Sequence, residues 1–250
     1  MFFYIYCFIG WCIESAIVSF ENKKFVNRGF LRGPYLPIYG FGAVFVLLIS
    51  LPLKENPVAV YFCSMVGTTI LEYVTGWAME KILKMKYWDY SDQKFNLHGR
   101  ICLLCSLFWG FLAILVTYVL HKPIEWLVTN MSVPALYFTG GFISCLIVSD
   151  LVYAIKTAID MNKILAKIAE IKDELAETKA ELEQRINSNE KVVQLNQRIE
   201  KLKQERENRE KLSFFKKDFL NAHPTAKFSN ARFNDALKEL KEKISEKKNK

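Results

Sequence analysis

Five long runs of mainly apolar residues occupy the first 155 positions of the chain. None shows the polar stripe, repeating every 3.6 residues, that a helix facing water would need. A helix rises about 1.5 Å per residue and satisfies its own backbone hydrogen bonds, so a run of about 18 residues can cross a hydrocarbon layer of ~30 Å. We therefore predict an all-α fold with five transmembrane helices, at about residues 2–20, 35–53, 58–83, 101–121 and 134–155.

The first four predicted spans contain an internal duplication. The pattern Gly-Trp-x-x-Glu occurs at residues 10–14 in the first span and again at residues 76–80 in the third, an offset of 66. A second block recurs at an offset of 70, in which Phe25, Gly29, Tyr39 and Gly40 return as Phe95, Gly99, Trp109 and Gly110. We interpret residues 2–53 and 58–121 as parallel repeats, an arrangement found among transporters, and residues 134–155 as a fifth helix leading to the tail.

Three carboxylates lie inside these spans: Glu14, Glu72 and Glu80. A charged group at the bilayer centre costs ~2.5 kcal/mol or more, and such groups mark ion or substrate pathways more often than lipid-facing surface. Because Glu14 and Glu80 are equivalent in the repeat, we expect them to face each other or a shared cavity. The alternative is that they pair with basic residues and brace the bundle. The candidates for that pairing are Arg28, Arg32 and Arg100. Glu72, further from a helix end, is the stronger candidate for function.

Residues 27–40 cannot form a plain helix, because proline removes a backbone donor and glycine weakens helix interiors. The helix-breaking residues are Gly29, Gly33, Pro34, Pro37 and Gly40. Irregular backbone is tolerated at membrane depth where protein or water covers it, so we predict a re-entrant turn that lines and gates a cavity. The counterpart at residues 87–100 contains Trp88 and Asp89 and suits the membrane interface. Asp150 is predicted to be an interfacial residue.

The basic residues of the short loops predict the orientation. The loops after the first and third spans carry four Lys or Arg residues each, whereas those after the second and fourth carry one each. Basic loops stay on the cytoplasmic side, so we expect a multi-pass protein of the cell membrane with its N-terminus outside and its tail in the cytoplasm. The first span lacks a basic leader and a cleavage site, and is expected to remain as an anchor.

All six cysteines lie inside or at the edges of predicted spans, so a disulfide framework is not expected. His98, Cys102 and Cys105 fall on one helical face that could hold a soft metal. We favour a plainer interpretation, in which small residues let helices approach closely.

The tail has a different composition, with 23 of the 34 Lys and Arg residues and 17 of the 26 Asp and Glu residues after position 155. Apolar residues from Ile164 to Leu182 follow a heptad pattern and predict a coiled-coil stalk over residues 156–212. One arrangement is a continuous helix that pairs with a second copy as a homodimer, which we favour slightly. The other is a hairpin within one molecule that turns at residues 187–189. Because both charge signs alternate, nucleic acid is not an expected partner.

The last predicted segment, residues 213–250, is basic and amphipathic. Phe214, Phe215 and Phe219 flank Lys216 and Lys217, a pattern that could rest on anionic lipid. Phe233, Leu237, Leu240 and Ile244 are spaced like one face of a packed helix.

Four strings in the first 150 residues resemble one family of membrane proteins. They are GWCIE, NRGFLRGPYLPIYGFG, LEYVTGWAMEKIL and WDYSDQKFNLHGRICLLCSLFWG. They are similar to the CmpB-like, type IV ABC-transporter family. The resemblance implies an integral membrane protein, mostly of Gram-positive bacteria, proposed as a permease without an established substrate. The matching positions are Gly10, Trp11, Glu14, Asn27, Arg28, Gly29, Gly33, Pro34, Pro37, Tyr39, Gly40, Glu72, Tyr73, Glu80, Trp88, Asp89, Tyr90, Asn96, Gly99 and Arg100. Tyr87 departs from the family, in which a further Trp is common.

Two functions remain open at this point. The first is a transport component that moves a small solute or ion past the three carboxylates. The chain has no phosphate-binding loop, so ATP-driven transport would need a separate ABC ATPase subunit. The second is a membrane scaffold whose stalk recruits a cytoplasmic partner. Ser-His-Asp and zinc patterns are also missing from the sequence, so we expect neither an enzyme nor a cofactor.

Overall fold

The computed structural model describes residues 1–184, 189–213, 216–217, 220, 227–228 and 231–246. Contacts divide the chain into two units. The first consists of Met1–Ile155 with Asn221–Lys227, and the second of Lys156–Leu220 with Phe228–Lys250. Each unit is described by itself below.

The first unit is built from helices joined by two long connections. Its helices are α1 (Phe2–Asn22), α2 (Pro37–Ser50), α3 (Pro57–Leu83), α4 (Leu103–Leu115), α5 (His121–Thr129) and the first part of α6 (Val133–Gln184). A π-helical turn, Val116–Leu120, joins α4 to α5 without a break. The connection between α3 and α4 holds the short strands β1 (Met85–Lys86), β2 (Asn96–Leu97) and β3 (Ile101–Cys102), of which β2 and β3 pair antiparallel.

Four of the predicted spans are confirmed as helices long and apolar enough to cross a membrane. They are Phe2–Phe20, Pro57–Leu83, Leu103–Thr129 and Val133–Leu182. The chain is therefore a multi-pass, all-α membrane protein. Large apolar side chains point outward along these helices, as for Leu104, which is 70% exposed, and in a bilayer such side chains contact lipid.

The predicted span at residues 35–53 is not observed as a helix of that length. Only α2 forms there, and its 14 residues correspond to about 21 Å of rise. Pro37 is the first residue of α2, and no helix is present in the preceding residues 23–36. The prolines and glycines that made this stretch irregular also shortened the span, because proline cannot donate a helical hydrogen bond and fits only the first turn.

The core of the first unit lies where α1, α2 and the α4–α5 helix meet. Its buried residues are Tyr6, Ala43, Val46, Leu47, Ala113, Val116 and Ile124. A second cluster joins α6 to the connection after α1 through Leu31, Ile147 and Ala154. The irregular connection is thus part of the packed interior.

The second unit contains the remainder of α6, α7 (Asn189–Glu210) and α8 (Ala231–Glu246). The short strand β4 (Lys227–Phe228) contributes Phe228 to it. Ile171 and Leu175 of α6 pack against Ile199 and Leu202 of α7. The continuous helix of the favoured alternative is therefore wrong, since α6 ends at Gln184 and its seam is covered by α7 of the same molecule. A short connection lets two helices pack as antiparallel neighbours, which is the hairpin alternative.

Helix α8 contributes to the same unit. Its Leu237 and Leu240 are buried, and Glu239 pairs with Lys172 of α6 and Arg206 of α7. The apolar face predicted to pack on something therefore packs within this unit. Two predicted features lie outside the described residues: the turn residues Asn187 and Ser188, and the aromatic positions Phe214, Phe215 and Phe219.

Candidate functional site

The connection between α1 and α2 runs back along α1 instead of forming a surface loop. The amide N–H of Val26 donates to Ser19 Oγ at 2.9 Å, and that of Arg28 to Ser15 Oγ at 3.1 Å. Further along, the N–H of Leu36 donates to the carbonyl oxygen of Cys7 at 3.0 Å. Cys7 lies in the second turn of α1, so the segment has returned most of the length of that helix before α2 begins.

Helix α6 holds the middle of this segment through one carboxylate. Asp150 Oδ2 accepts the amide N–H of Arg32 at 2.8 Å and that of Gly33 at 2.7 Å. The Arg32 guanidinium lies over the Tyr153 ring, 4.2 Å from its centroid. Asp150, predicted only as an interfacial residue, therefore also satisfies two backbone donors of this segment.

Two predicted glycines allow α1 and α2 to approach closely. A Cβ on Gly10 would lie 2.3 Å from Tyr39 Cγ, and one on Gly40 would lie 2.4 Å from Cys7 Sγ. Neither position has room for a side chain. The other predicted residues of this segment are Gly29, Gly33, Pro34 and Pro37. The first three lie in the irregular stretch, where the Tyr35 N–H donates to the Gly33 carbonyl at 2.8 Å. Pro37 is the first residue of α2.

Two aromatic residues at equivalent positions of the predicted repeat meet in the first unit. The rings of Tyr39 and Trp109 have centroids 5.8 Å apart. The Tyr39 hydroxyl donates to Glu14 Oε1 at 2.7 Å, and the Trp109 indole N–H donates to Glu72 Oε2 at 2.9 Å. Glu14 and Glu72 are therefore held on either side of one aromatic pair.

Glu72 is the most enclosed of the three carboxylates, with 5% of the residue exposed. Its second oxygen accepts the Tyr90 hydroxyl at 3.4 Å. Both donors are neutral, and among the described residues Glu72 forms no ion pair. A buried carboxylate without a basic partner is costly unless it is protonated or holds a cation.

Glu80 has a different environment, because it forms an ion pair with Arg100. The guanidinium Nη2 lies 2.7 Å and Nε 3.1 Å from Glu80 Oε2, and the two side chains are 19% and 16% exposed. Glu14 has a looser contact, with Arg28 Nε 3.9 Å from its Oε2. The bracing alternative therefore describes the contacts of Glu80 and, more weakly, those of Glu14.

Trp88 and Asp89 organise the connection between α3 and α4. The Trp88 indole N–H donates to the Arg100 carbonyl at 2.9 Å. Asp89 Oδ1 accepts the Ser91 amide at 3.1 Å, and its Oδ2 lies 2.6 Å from Lys227 Nζ. Burial raises the pKa of Asp89, but the hydrogen bonds from Lys227 and Ser91 outweigh it and lower the pKa to about 2. Asp89 is therefore an ionised anchor of this connection.

A small cavity of about 40 Å³ lies beside the aromatic pair. Tyr39 and Trp109 line it together with Tyr6, and the remaining wall is mainly apolar. The Tyr6 hydroxyl lies 3.2 Å from Nδ1 of His121, which is buried and follows the π-helical turn. A cavity of this volume has room for water. None of the three predicted carboxylates is among the described residues that line it.

Sequence reasoning did not predict the contacts of several polar residues that the fold brings into this region. Asp150, Tyr90, Tyr6 and His121 each contact a residue from a distant part of the chain. Ser15 and Ser19 carried a usable signal, because two hydroxyls four residues apart on an apolar helix share one face and need acceptors or donors there.

The metal interpretation of His98, Cys102 and Cys105 gains no support. His98 Nδ1 lies 3.2 Å from the Tyr73 hydroxyl. Within the described part of the chain, no group of three or more His, Cys, Asp or Glu side chains is arranged to hold a metal ion.

Comparisons with known proteins give one match. A family model described as "Putative ABC-transporter type IV" matches residues 1–155. No curated protein and no solved structure matches the chain. The match covers Met1–Ile155 of the first unit. This part includes the irregular segment and all three carboxylates.

Proposed function

Because the chain belongs to the "Putative ABC-transporter type IV" family, we propose that it is a transport component in which Glu72 binds a proton or small cation on the pathway. The observation that carries this proposal is the environment of Glu72. Its carboxylate is buried inside a candidate span and receives hydrogen bonds from Trp109 and Tyr90, which are both uncharged. Intramembrane carboxylates in such settings mark ion and proton pathways.

Glu14 is the second carboxylate of the proposed pathway. Tyr39 links it to the Trp109 ring that holds Glu72, so a cation could pass between the two carboxylates beside an aromatic wall. Glu80 has a bracing role in this proposal, because its charge is already neutralised by Arg100. In this proposal Glu72, the stronger candidate from the sequence, and Glu14 are functional groups, and Glu80 is a structural group.

The irregular segment before α2 serves as the movable element. Hydrogen bonds to Ser15, Ser19 and Asp150 hold it against α1 and α6, and such bonds can exchange without unwinding a helix. With α2 it would form a broken second crossing, extended in one half and helical in the other, like the discontinuous helices of transporters. Five crossings would then place the connections after α1 and α3 in the cytoplasm, as their basic residues favour.

Transport driven by ATP would require a separate ATPase subunit. The test is purification of the full chain from its native membrane, followed by identification of the proteins that accompany it in fixed ratio. A nucleotide-binding subunit supports the transport proposal. A soluble partner of another class, bound through the second unit, would support the scaffold function instead.

The role of Glu72 has its own test, which needs no known solute. Dicyclohexylcarbodiimide reacts with protonated carboxyl groups in apolar surroundings, and mass spectrometry locates the product. We expect Glu72 to react and its reaction to slow when Na⁺ or K⁺ is added or the pH is raised, while Glu80 stays unmodified because its Oε2 is bound by the Arg100 guanidinium. Glu72→Gln removes the reactive site, and Glu55→Gln, in the exposed turn after α2, serves as the matched control. An unreactive Glu72, or one indifferent to both cations and pH, would contradict the proposed role.

A further inference from the structure

Two cysteines meet at the start of α4. Cys102 is the residue immediately before the helix, and Cys105 lies in its first turn. Their sulfur atoms are 2.8 Å apart, with the Cys102 S–H directed at Cys105 Sγ. A disulfide bond is ~2.05 Å long, so the two sulfurs are less than 1 Å from bonding distance.

The local backbone favours this arrangement. Cys102 caps α4, and its sulfur accepts the amide N–H of Cys105 at 3.4 Å. Two cysteines separated by two residues at the start of a helix place their sulfurs on the same side of its first turn. The intervening residues Leu103 and Leu104 point outward, so they leave the space between the two sulfurs clear.

The two thiols differ in exposure. Cys102 is 3% exposed, whereas Cys105 is only partly buried. Each of the other four cysteines lies apart from this pair in the sequence, and all of them are free thiols. A thiol reagent in solution therefore reaches Cys105 before Cys102. Cys102 is placed to react with an adduct formed on Cys105 Sγ.

We propose that Cys102 and Cys105 are a redox site that exchanges reversibly with an external disulfide of the glutathione or thioredoxin class. The Cys105 thiolate attacks one sulfur of the external disulfide, forming a mixed disulfide and releasing the first external thiol. The Cys102 thiolate then attacks Cys105 Sγ, which closes the protein disulfide and releases the second external thiol. Two electrons and two protons pass from the protein to the external disulfide, and the reverse reaction restores both thiols.

The site has a structural connection to the carboxylates. Cys105 interacts with the Tyr90 hydroxyl, and Tyr90 also donates to Glu72. Trp109, the other donor to Glu72, lies one helical turn after Cys105. Closing the disulfide therefore changes the surroundings of Tyr90, one of the two groups that donate to Glu72. The redox chemistry itself is independent of the proposed transport function.

The test uses the full chain in lipid nanodiscs, equilibrated with mixtures of reduced and oxidised glutathione. Samples are quenched with acid, and free thiols are alkylated. After digestion, mass spectrometry reads the peptide that contains both cysteines, and the other four cysteines serve as internal controls. We expect Cys102 and Cys105 to lose alkylation together as a peptide two hydrogens lighter. The oxidised-to-reduced ratio should change a hundredfold over about 60 mV, which is the slope of a two-electron couple.

Single substitutions test the order of the two steps. In Cys102→Ser the mixed disulfide cannot be resolved, so Cys105 is expected to accumulate a glutathione adduct. In Cys105→Ser the buried Cys102 is expected to remain a thiol under the same conditions. Retention of both thiols at the most oxidising ratio, a stable glutathione adduct in the wild-type chain, or a disulfide to any other cysteine would each overturn the proposal.

Discussion

Replacing Asp150 by Ala should release the irregular segment from α6. Asp150 Oδ2 accepts two backbone amides, those of Arg32 at 2.8 Å and Gly33 at 2.7 Å. A hydrogen bond to a charged group contributes about 1.5 to 3 kcal/mol. The Arg32 contact is exposed and the Gly33 contact is partly buried, so we take the low end and expect a total loss of about 2 to 3 kcal/mol.

Hydrogen–deuterium exchange measures this loss directly. At 1.4 kcal/mol for each factor of ten, local opening of the segment should become about 30- to 150-fold more frequent. The amides of residues 28–36 should exchange faster by that factor in the full chain in nanodiscs. Asp150→Asn keeps the shape and a neutral acceptor, so its effect should be intermediate. Asp160→Ala, ten residues further along α6 in the second unit, is the control and should leave the segment unchanged.

The exchange experiment can refute the reasoning in two ways. If residues 28–36 exchange at the wild-type rate in Asp150→Ala, the carboxylate does not hold the segment. If exchange rises equally throughout the first unit, the substitution has unfolded the bundle. In that case the segment does not open as a separate local element.

Two further predictions concern packing and pH. Gly40→Ala should lower the free energy of unfolding by about 1 to 3 kcal/mol, because the new Cβ would lie 2.4 Å from Cys7 Sγ. Gly42→Ala should be neutral or stabilising by up to about 1 kcal/mol, because a Cβ at that position would have no described atom within 4 Å. Equal thermal midpoints of the Gly40→Ala and Gly42→Ala variants in detergent would contradict this difference. Hydrogen bonding by Lys172, and the charge of Arg206, lower the pKa of Glu239 below its ordinary 4.5. The stability it contributes is therefore present above that pH and lost as the pH falls below it, so acid titration of unfolding should show less pH dependence in Glu239→Gln than in the wild type.

The long spans could be predicted from the sequence because their signal is local. An apolar run that spans the bilayer must satisfy its own backbone hydrogen-bonding groups, and a helix does so whatever its neighbours are. The same reasoning identified residues 27–40 as irregular, which is correct for residues 27–36 and wrong for residues 37–40, which form the first turn of α2. It could not give their path, because that path depends on Ser15, Ser19 and Asp150, whose partners lie up to 118 residues away.

The carboxylates show a similar division. Glu14, Glu72 and Glu80 were recognisable as candidates by their position in apolar runs. Their environments were not, because Arg100, Tyr90 and Trp109 reach them from other elements. The repeat makes Glu14 and Glu80 equivalent, whereas the aromatic residue at the position equivalent to Tyr39, Trp109, contacts Glu72 and not Glu80.

The tail shows why one periodic pattern fits two structures. A heptad seam specifies that an apolar face will be covered, but a second copy and a later segment of the same chain can both cover it. Ile199 and Leu202 of α7 cover Ile171 and Leu175 in the structure. An ion pair also favours the packing of α7 on α6, since Arg198 Nη2 lies 2.6 Å from Glu174 Oε1.

The anchoring of the irregular segment by Asp150 also constrains how the protein is made. Residues 26–36 are synthesised early, yet two of their amides depend on a carboxylate that the ribosome adds more than a hundred residues later. Until then these donors need other partners. The first unit therefore cannot complete its fold in the order of its sequence, and a nascent chain halted before α6 would lack the acceptor that holds this segment.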